Sequence, residues 1–354
     1  MRLLYFGTLA WGTTSLQRGE ALRRLTEHLY AVDQRLFIGD YPTRPLWARV
    51  QLRLGYGFLP LIVKTGAGLA GEVRRYRPQV VWVDGGYCLS REALRRIKGE
   101  TPVVLVHYTP DSLQAPGWYP FLQALSEYDL VITTKPRDRE IYRAKGAKRV
   151  LLSRLGYDPR LHRPLKPGPQ EAARFNCDVA FVGVRMEDRA RSLCRLAREV
   201  NCRLHLYGRG WDQGSTGKCL APFARGWVHG DDYAKALSSA KICLAFLNRT
   251  VGDTYTTRSL EIPACGAFML AERTPAHLEL FEEDREAAYF ASDEELVDKV
   301  KFYLAHDRKR QEIALAGHAK LKRLGYTWED HLKTCLIEVK RLLEERWGPD
   351  RKEP

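Results

Sequence analysis

The chain has 354 residues, of which 45% are hydrophobic and 28% charged, and its formal net charge is +14 at pH 7. This composition excludes a disordered chain and is typical of a globular protein large enough for two domains. No apolar run approaches the roughly 20 residues of a membrane span. Because Met1–Gly7 has the pattern of a strand rather than of a signal peptide, we expect a cytoplasmic protein.

Eight cysteines are scattered along the chain, with no C-x2-C pair and no clustered histidines to complete a zinc site. Several of them, such as Cys177 and Cys243, stand in apolar stretches, where a reduced cysteine packs as a small hydrophobic residue. We expect all eight to be free thiols and no metal to be bound.

The basic charge belongs to the first half of the chain. Residues 1–170 hold 27 Lys and Arg against 14 Asp and Glu, or +13, which leaves +1 of the +14 for residues 171–354. Such an excess favours an anionic partner: lipid head groups, an acidic glycan or nucleic acid. A surface that only keeps the protein soluble has the same composition, and both interpretations stay open.

Strands and helices alternate in the first half. Four apolar stretches are predicted to be strands: residues 2–6, 79–84, 102–107 and 129–133. Helical patterns lie between them, beginning with an amphipathic helix at residues 16–29. This alternation predicts a doubly wound parallel sheet, in which ligands bind beyond the carboxyl ends of the strands.

The polar residues at those strand ends are the first candidates for a site. His107 ends one strand and Asp111 follows it, while Gly12 and Thr13 lie in the loop after the first strand. A loop of this kind exposes backbone amides to a ligand. His107 is equally a histidine satisfied within the fold, and Asp111 can act as a general base on a hydroxyl group.

An arginine-punctuated stretch at residues 44–77 has two interpretations. Its apolar residues, among them Trp47 and Phe58, alternate with arginines such as Arg44, Arg49 and Arg53. Helices of this composition pack an apolar face on a sheet while their arginines extend outward. The same pattern also suits an anionic membrane surface or an acceptor.

A second set of strands follows the linker-like residues 166–169, and we place the domain boundary at about residue 168. The strand from Cys177 ends in Gly183, with Arg185 and Arg189 at the start of the next helix, an arrangement that favours phosphate. The next strand leads to Gly208-Arg-Gly210-Trp211, which lacks the third glycine of a dinucleotide fingerprint. A dehydrogenase is therefore a poor interpretation.

The stretch Asp253–Gly266 carries the most chemistry. Thr256 and Thr257 can cap a helix, Arg258 and Glu261 lie one turn apart, and Asn248 stands just before it at a strand end. Free amides at a helix start and Arg258 suit a phosphate, and Glu261 suits the vicinal hydroxyls of a ribose. The alternative is an ordinary capped helix in which Arg258 and Glu261 form a surface pair.

The spacing from Asp253 to Glu261, followed by Ala264-Cys265-Gly266, resembles the E-x7-E signature of retaining GT-B glycosyltransferases of family 4. Two runs, Arg-Ser-Leu-Glu-Ile-Pro-Ala-Cys-Gly-Ala-Phe and Leu-Phe-Glu-Glu-Asp-Arg-Glu-Ala-Ala-Tyr-Phe, more specifically resemble the CgeB-type (spore-maturation) branch. The first position holds Asp where the signature has Glu, so the shorter side chain need not reach the same atoms.

The resemblance implies a fold and a domain order. It implies an α/β protein of GT-B fold, with two Rossmann-like doubly wound parallel-sheet domains that face a cleft and a C-terminal crossing helix. Residues 1–168 would form the N-terminal acceptor-side domain and residues 169–326 the nucleotide-sugar-binding domain. Residues 327–354 would form the helix that packs back toward the N-terminal domain.

It also implies roles for the candidate residues. His107, Asp111 and Asp253 would lie at the chemistry, with His107 against the donor sugar. Glu261 would bind ribose, Thr257 and Arg258 the diphosphate, and Trp211 would flank the base. The full donor-binding set is Gly12, Thr13, Gly183, Arg185, Arg189, Trp211, Asn248, Thr256, Thr257, Arg258 and Glu261.

The function implied is transfer of a sugar from a nucleoside-diphosphate sugar to an acceptor hydroxyl, with retention and without a metal. No cofactor is expected, so arginines and helix-terminal amides would stabilise the leaving group. The acceptor would be an anionic glycan, a protein or a lipid-linked molecule, and peripheral contact with the inner face of the membrane fits the basic first half. The alternatives are a GT-B-like nucleotide binder without turnover and a nucleic-acid-binding protein, although no nucleic-acid motif is present.

Overall fold

The computed structural model describes residues 1–38, 59–85, 88–111, 113 and 119–348. The chain divides into two compact units, the first formed by Met1–Leu155 with Trp328–Pro354 and the second by Gly156–Thr327. Each unit has its own sheet and hydrophobic core. Residues 44–58 of the arginine-punctuated stretch, with Trp47 and Phe58, lie outside the described residues.

The first unit contains a parallel sheet with the strand order β2-β1-β3-β4-β5-β6. Its central strands are apolar and buried along their whole length, as expected for a parallel sheet covered on both faces. The strands are β1 Arg2–Gly7, β2 His28–Asp33, β3 Val80–Asp84, β4 Val104–Thr109, β5 Leu130–Thr133 and β6 Val150–Leu152. The four predicted strands are therefore confirmed, with the third displaced by two residues.

The helices of this unit include α1 Thr14–Leu25, α2 Arg35–Ile38, α3 Leu59–Tyr76, α4 Arg91–Glu100, α5 Tyr119–Ala124 and α6 Asp138–Ala144. In α3, the buried Leu69 and Val73 belong to the core while Arg74 and Arg75 are exposed. For this part of the arginine-punctuated stretch, packing on the sheet is confirmed.

The prediction of one helix over residues 16–29 is wrong for its last four residues. Thr13 caps α1 by accepting a hydrogen bond from the Leu16 amide, and the helix ends before Thr26, which has extended backbone angles. Residues 28–33 form β2, which pairs with β1 from Arg2↔His28 onward. A partly exposed edge strand shows weak apolar periodicity, so pairing with β1 rather than local pattern defines it.

The second unit contains a parallel sheet with the order β11-β10-β9-β7-β8. The strands are β7 Cys177–Val182, β8 Leu204–Tyr207, β9 Ala240–Ala245, β10 Met269–Glu272 and β11 Ala288–Phe290. The helices are α7 Ala172–Phe175, α8 Glu187–Glu199, α9 Gly217–Leu220, α10 Asp231–Ser238, α11 Arg258–Ala264, α12 Pro275–Leu280, α13 Asp293–Ala305 and α14 Asp307–Leu324. Because the order reverses direction at β7, the loops after β7 and β9 diverge and leave room for a ligand.

Residues 156–168 have their contacts in the second unit. The Tyr157 amide donates to the Tyr326 carbonyl at 3.2 Å, the Leu165 amide donates to Ser238 Oγ at 3.1 Å, and Arg163 pairs with Asp231. The units thus divide between Leu155 and Gly156, some residues before the predicted boundary at residue 168.

The last helix, α15 Trp328–Trp347, belongs to the first unit. The Trp328 indole donates to Gln17 on α1 at 2.9 Å. Arg18 forms a buried bidentate pair with Asp84, at 2.7 and 2.8 Å, and the Arg18 guanidinium stacks on the Trp328 ring. These contacts agree with the predicted return of the C-terminal helix to the first domain.

Two of the eight cysteines are not free thiols. Cys194 on α8 and Cys219 on α9 form a disulfide, with 6.0 Å between their Cα atoms. Sequence reasoning missed the pair because a separation of 25 residues matches no cysteine motif. The prediction that all eight are free is therefore wrong for these two.

None of the described helices is both long and apolar enough to span a membrane.

Candidate functional site

The loops after β7 and β8 are pressed together at the carboxyl edge of the second sheet. Gly208 has a φ of 128°, and a Cβ atom there would overlap the carbonyl of Gly183. The Gly183 amide donates to the Tyr207 carbonyl at 2.8 Å. A glycine is therefore needed at position 208 for this close approach.

Two arginines converge beside Gly183. The guanidinium carbons of Arg189 and Arg258 lie 5.8 and 5.5 Å from the centroid of the Phe181 ring. Both donate to backbone carbonyls: Arg189 to Leu247 and Val184 at 3.3 and 3.4 Å, and Arg258 to Phe246 at 3.3 Å. The Nε of Arg258 is buried and has no hydrogen-bond partner among the described residues. Among the described residues, neither guanidinium forms an ion pair with a carboxylate.

The electrostatics of this pair favour an anion. Arg189 is only 4% exposed. Its burial, and then repulsion from Arg258, lower the pKa of Arg189 to about 10, against the opposing influence of Asp188, Glu272 and Asp253. Arg189 remains charged at neutral pH, and a doubly charged anion bound by both guanidiniums would relieve the repulsion.

Arg185 is placed differently from Arg189. It pairs with Glu187, donates to Thr216 Oγ1 at 3.2 Å, and its guanidinium lies against Gly214. The structure thus brings Gly183, Arg189 and Arg258 together as predicted neighbours, while Arg185 is engaged by a carboxylate within the protein.

The start of α11 differs from the predicted capped helix. Thr257 precedes the helix but its side chain makes no capping hydrogen bond, and the buried hydroxyl of Thr256 has no partner in the described parts of the chain. The Thr256 amide instead donates to Ser259 Oγ at 3.2 Å, and that oxygen lies 2.8 Å from His277 Nε2. The helix has seven residues, and its first turn is held from within the unit.

Glu261 points into the protein. It is 5% exposed, and the Tyr233 hydroxyl donates to its Oε2. His162 Nε2 lies 3.7 Å from its Oε1, while His162 Nδ1 accepts from the Asp158 amide at 3.1 Å. Because burial lowers the pKa of His162, the ring is neutral at neutral pH. The alternative of a surface pair between Arg258 and Glu261 is wrong, and the ribose contact of Glu261 stays a prediction.

The loop between β9 and α11 is organised by a carboxylate that the sequence motifs did not single out. Glu272, at the end of β10, accepts from the Leu247 amide at 2.9 Å and from Arg249 Nε at 2.8 Å. Asn248 caps the turn that follows, and the Asp253 amide donates to its carbonyl at 3.2 Å. The sequence pattern that could have identified Glu272 is an acidic residue at the end of an apolar strand.

Trp211 does not lie where a base-flanking residue needs to be. It is 1% exposed, its indole donates to the Gly183 carbonyl at 3.2 Å, and its ring packs edge-on against Phe181. In this position it supports the loop after β7 from within the core, and its predicted contact with a base stays a prediction.

In the first unit, His107 is fully buried. Its Nε2 lies 2.6 Å from the Gly85 carbonyl and its ring stacks on Phe121, with 3.9 Å between centroids. Burial lowers the pKa of His107 to about 4, so the ring is neutral at neutral pH. A contact with a donor sugar would require the surrounding rings to move.

The other predicted residues of the first unit lie at loop ends. Asp111 is exposed and its amide donates to Thr109 Oγ1 at 3.2 Å. Gly12 is exposed with a φ of 83°, and the Thr13 hydroxyl is engaged in capping α1. These positions leave the backbone around Gly12 accessible.

Among the described residues, no group of three or more His, Cys, Asp or Glu side chains is placed so that it could hold a metal ion.

Residues 188–336 match the family model described as glycosyl transferase-like. This segment includes Arg189 and all of Asp253–Gly266. No curated protein matches the chain.

Several solved structures are similar over nearly the whole chain. Sucrose-phosphate synthase from Thermosynechococcus elongatus has a TM-score of 0.68 and 15% identity, over 97% of this chain and 99% of that one. HepE of Anabaena, in complex with UDP-glucose, has a TM-score of 0.66 and 12% identity, over 96% and 100%. The lipopolysaccharide outer core galactosyltransferase WaaB has a TM-score of 0.60 and 12% identity, also over 96% and 100%. The chain has the GT-B fold. At these identities the likeness concerns the fold, and function has to be argued from the site.

Proposed function

We propose that the chain is a glycosyltransferase that moves a sugar from a nucleoside-diphosphate sugar to an acceptor hydroxyl. The observation that carries the proposal is the pair Arg189 and Arg258, two guanidiniums that lie 5.8 and 5.5 Å from the Phe181 ring and have no carboxylate partner in the described structure. They lie at the carboxyl edge of the sheet, within the segment that is glycosyl transferase-like. HepE, which is similar in fold, is described with UDP-glucose.

The two arginines suit the leaving group of such a transfer. The acceptor oxygen bonds to the anomeric carbon, the bond from that carbon to the diphosphate oxygen breaks, and the proton of the acceptor hydroxyl passes to the departing diphosphate or to water. The electron pair goes to the diphosphate, whose growing charge Arg189 and Arg258 would stabilise without a metal. We propose a metal-independent reaction for this reason.

The stereochemical proposal rests on the resemblance to family 4. Retention follows from the E-x7-E likeness, with Asp253 on the sugar hydroxyls and Thr256, Thr257 and Asn248 near the donor. Glu261 would bind the ribose hydroxyls either together with the Tyr233 hydroxyl, which already donates to its carboxylate, or after that hydroxyl has moved away. If Asp111 acts instead as a general base on the acceptor, the product will be inverted.

For partners we propose an anionic glycan, protein or lipid-linked acceptor on the basic first half, in a cytoplasmic protein with peripheral membrane contact. The charge of residues 1–170 supports this proposal. We further propose a CgeB-type role, in which the enzyme takes part in the synthesis of a polysaccharide or glycoconjugate.

Calorimetric titration tests the donor site. Wild type is titrated with UDP, GDP, dTDP, CMP and inorganic pyrophosphate, and the variants Arg189→Met and Arg258→Met are then titrated with the same ligands. Since a hydrogen bond to a charged group contributes about 1.5–3 kcal/mol, each variant should bind roughly 10- to 150-fold more weakly. Arg198→Met is the matched control, because Arg198 lies exposed on the same helix α8. Wild type that binds none of these ligands would refute the donor site.

Turnover separates the proposal from a binder without activity. Incubation of each binding nucleotide's sugar conjugate with candidate acceptors should release free nucleotide, with NMR of the product reporting the anomeric configuration. Binding with no release would favour the inactive binder. Binding to nucleic acid whose affinity falls steeply with salt would favour the third alternative.

A further inference from the structure

An exposed aromatic ring lies at the same edge of the second sheet. Trp227 is 49% exposed, which is unusual for a large apolar side chain, and Arg209 stacks on its ring at 4.7 Å from the centroid. Val184, beside Gly183, is also exposed. None of the roles proposed above uses Trp227, Arg209 or Val184.

The backbone holds Trp227 firmly at this edge. Residue Ala224 forms a parallel bridge with Leu206 of β8, and the Arg225 amide donates to the Leu206 carbonyl at 2.8 Å. The Gly208 amide donates to the Gly226 carbonyl at 2.7 Å. Gly226 has a φ of 73°, a conformation that favours glycine and turns the chain immediately before Trp227.

The ring is a short distance from the arginine pair. The Arg185 amide donates to the Arg209 carbonyl at 3.0 Å, so the loops after β7 and β8 are hydrogen-bonded side by side. Gly208 is packed on Gly183, and a Cβ at Gly183 would lie 3.4 Å from Arg258 Nη1. Adjacent strands lie about 4.8 Å apart, so the backbone that carries Trp227 lies about two strand spacings from the loop after β7. A nucleoside is long enough to span that separation.

We infer that Trp227, with Arg209, is the platform on which the base of the nucleotide stacks, in place of the buried Trp211. This inference rests on the proposed function, because it assumes a diphosphate at Arg189 and Arg258. A planar ring with a guanidinium on it offers a base both aromatic stacking and a cationic neighbour. Stacking of this kind tolerates different bases, so the platform explains affinity for nucleosides more than a choice among them.

The test compares a ligand with a base and one without. Dissociation constants for UDP, GDP and inorganic pyrophosphate are measured by calorimetry for wild type, Trp227→Ala and Trp227→Phe. Trp227→Ala should weaken UDP and GDP by about 10-fold or more, from the magnitude of base–aromatic stacking, and leave pyrophosphate within about twofold. Trp227→Phe, which keeps a ring, should recover most of the affinity.

Phe302→Ala is the matched control. Phe302 on α13 is also an exposed ring with a cation over it, Lys309 at 5.3 Å, and its removal should leave all three constants unchanged. Equal weakening of pyrophosphate and UDP by Trp227→Ala, or no change in either, would overturn the inference. If only UDP-glucose were weakened and UDP were not, the ring would hold the sugar and the base assignment would be wrong.

The two proposals fail in different ways. If wild type and Trp227→Ala bind pyrophosphate and nucleotides equally well, the platform is refuted and the donor site is not. Wild type that binds neither class of ligand refutes the donor site, and the platform with it.

Discussion

Replacement of Arg258 by Met should leave the ligand-free protein as stable as wild type, although the residue is an arginine packed among aromatic and backbone groups. The reason is the kind of groups that surround Arg258. Arg258 contacts the ring of Phe181 and one backbone carbonyl, and its positive neighbour Arg189 shares that ring. In contrast, Arg273 at the end of β10 forms bidentate pairs with Glu283 and Glu295 at 2.5–3.1 Å.

The magnitude follows from the pKa of Arg189. That pKa is lowered from the ordinary value of an arginine to about 10, which corresponds to about 3 kcal/mol at 1.36 kcal/mol per unit. Because the folded pKa lies below the unfolded one, the cost is present wherever arginine is charged in both states, including neutral pH, and it is relieved only as the pH rises above about 10. Burial is the larger cause and repulsion from Arg258 the second, so removal of Arg258 should return part of this cost. This offsets the loss of its hydrogen bond, which contributes about 1 kcal/mol.

Urea unfolding in a phosphate-free buffer measures the balance. The free energy of unfolding of Arg258→Met should lie within about 1 kcal/mol of wild type. Arg273→Met should lose about 1–3 kcal/mol, since it removes the arginine partner of both Glu283 and Glu295. A loss for Arg258→Met as large as for Arg273→Met would refute the reasoning, because Arg258 would then be holding the ligand-free fold together.

Two further predictions concern stability. Reduction of the Cys194–Cys219 disulfide, or the Cys194→Ser/Cys219→Ser variant, should lower the free energy of unfolding by about 3 kcal/mol, because the crosslink spans 25 residues. Calorimetry should show a Tm lower by roughly 6–12 °C for a unit of this size. Cys202→Ser is the control, and an unchanged Tm of the reduced protein or of the double variant would show that the crosslink does not form. The pKa of His107 is about 4 in the folded protein against an ordinary 6.5, so folding stability should fall as the pH drops from 6.5 toward 4, by about 2 kcal/mol at pH 5 relative to pH 7.5. Urea titrations of His107→Gln at both pH values should show a smaller loss than wild type, and an equal loss would contradict the assignment.

Several features of the site were predictable because they depend on short stretches of chain. Gly183 ends an apolar run and Arg189 follows it within two turns, so their place after a buried strand needed only the local pattern. The same holds for Arg258 and Gly266 around the short helix α11, where Gly266 has the positive φ expected of a helix stop.

Other features depended on partners far away in the chain. Glu261 has the spacing of a ligand-binding carboxylate, yet Tyr233 and His162 enclose it. Cys194 and Cys219 carry no motif and meet because α8 and α9 pack side by side. Strand β2 is defined by its pairing with β1 rather than by its own pattern.

The sequence by itself determined the two α/β halves, the sites of the strands and the arginines near a sheet edge, because apolar runs and glycine stops act over a few residues. Tertiary structure decided which side chains are accessible there. Trp211 and Trp227 both stand near a glycine after β8, and no local pattern distinguishes them. Packing against Phe181 and Gly183 buries the first, while the turn at Gly226 leaves the second exposed beside Arg209. Exposure is a property of all the neighbours of a side chain, and most of those neighbours are distant in sequence.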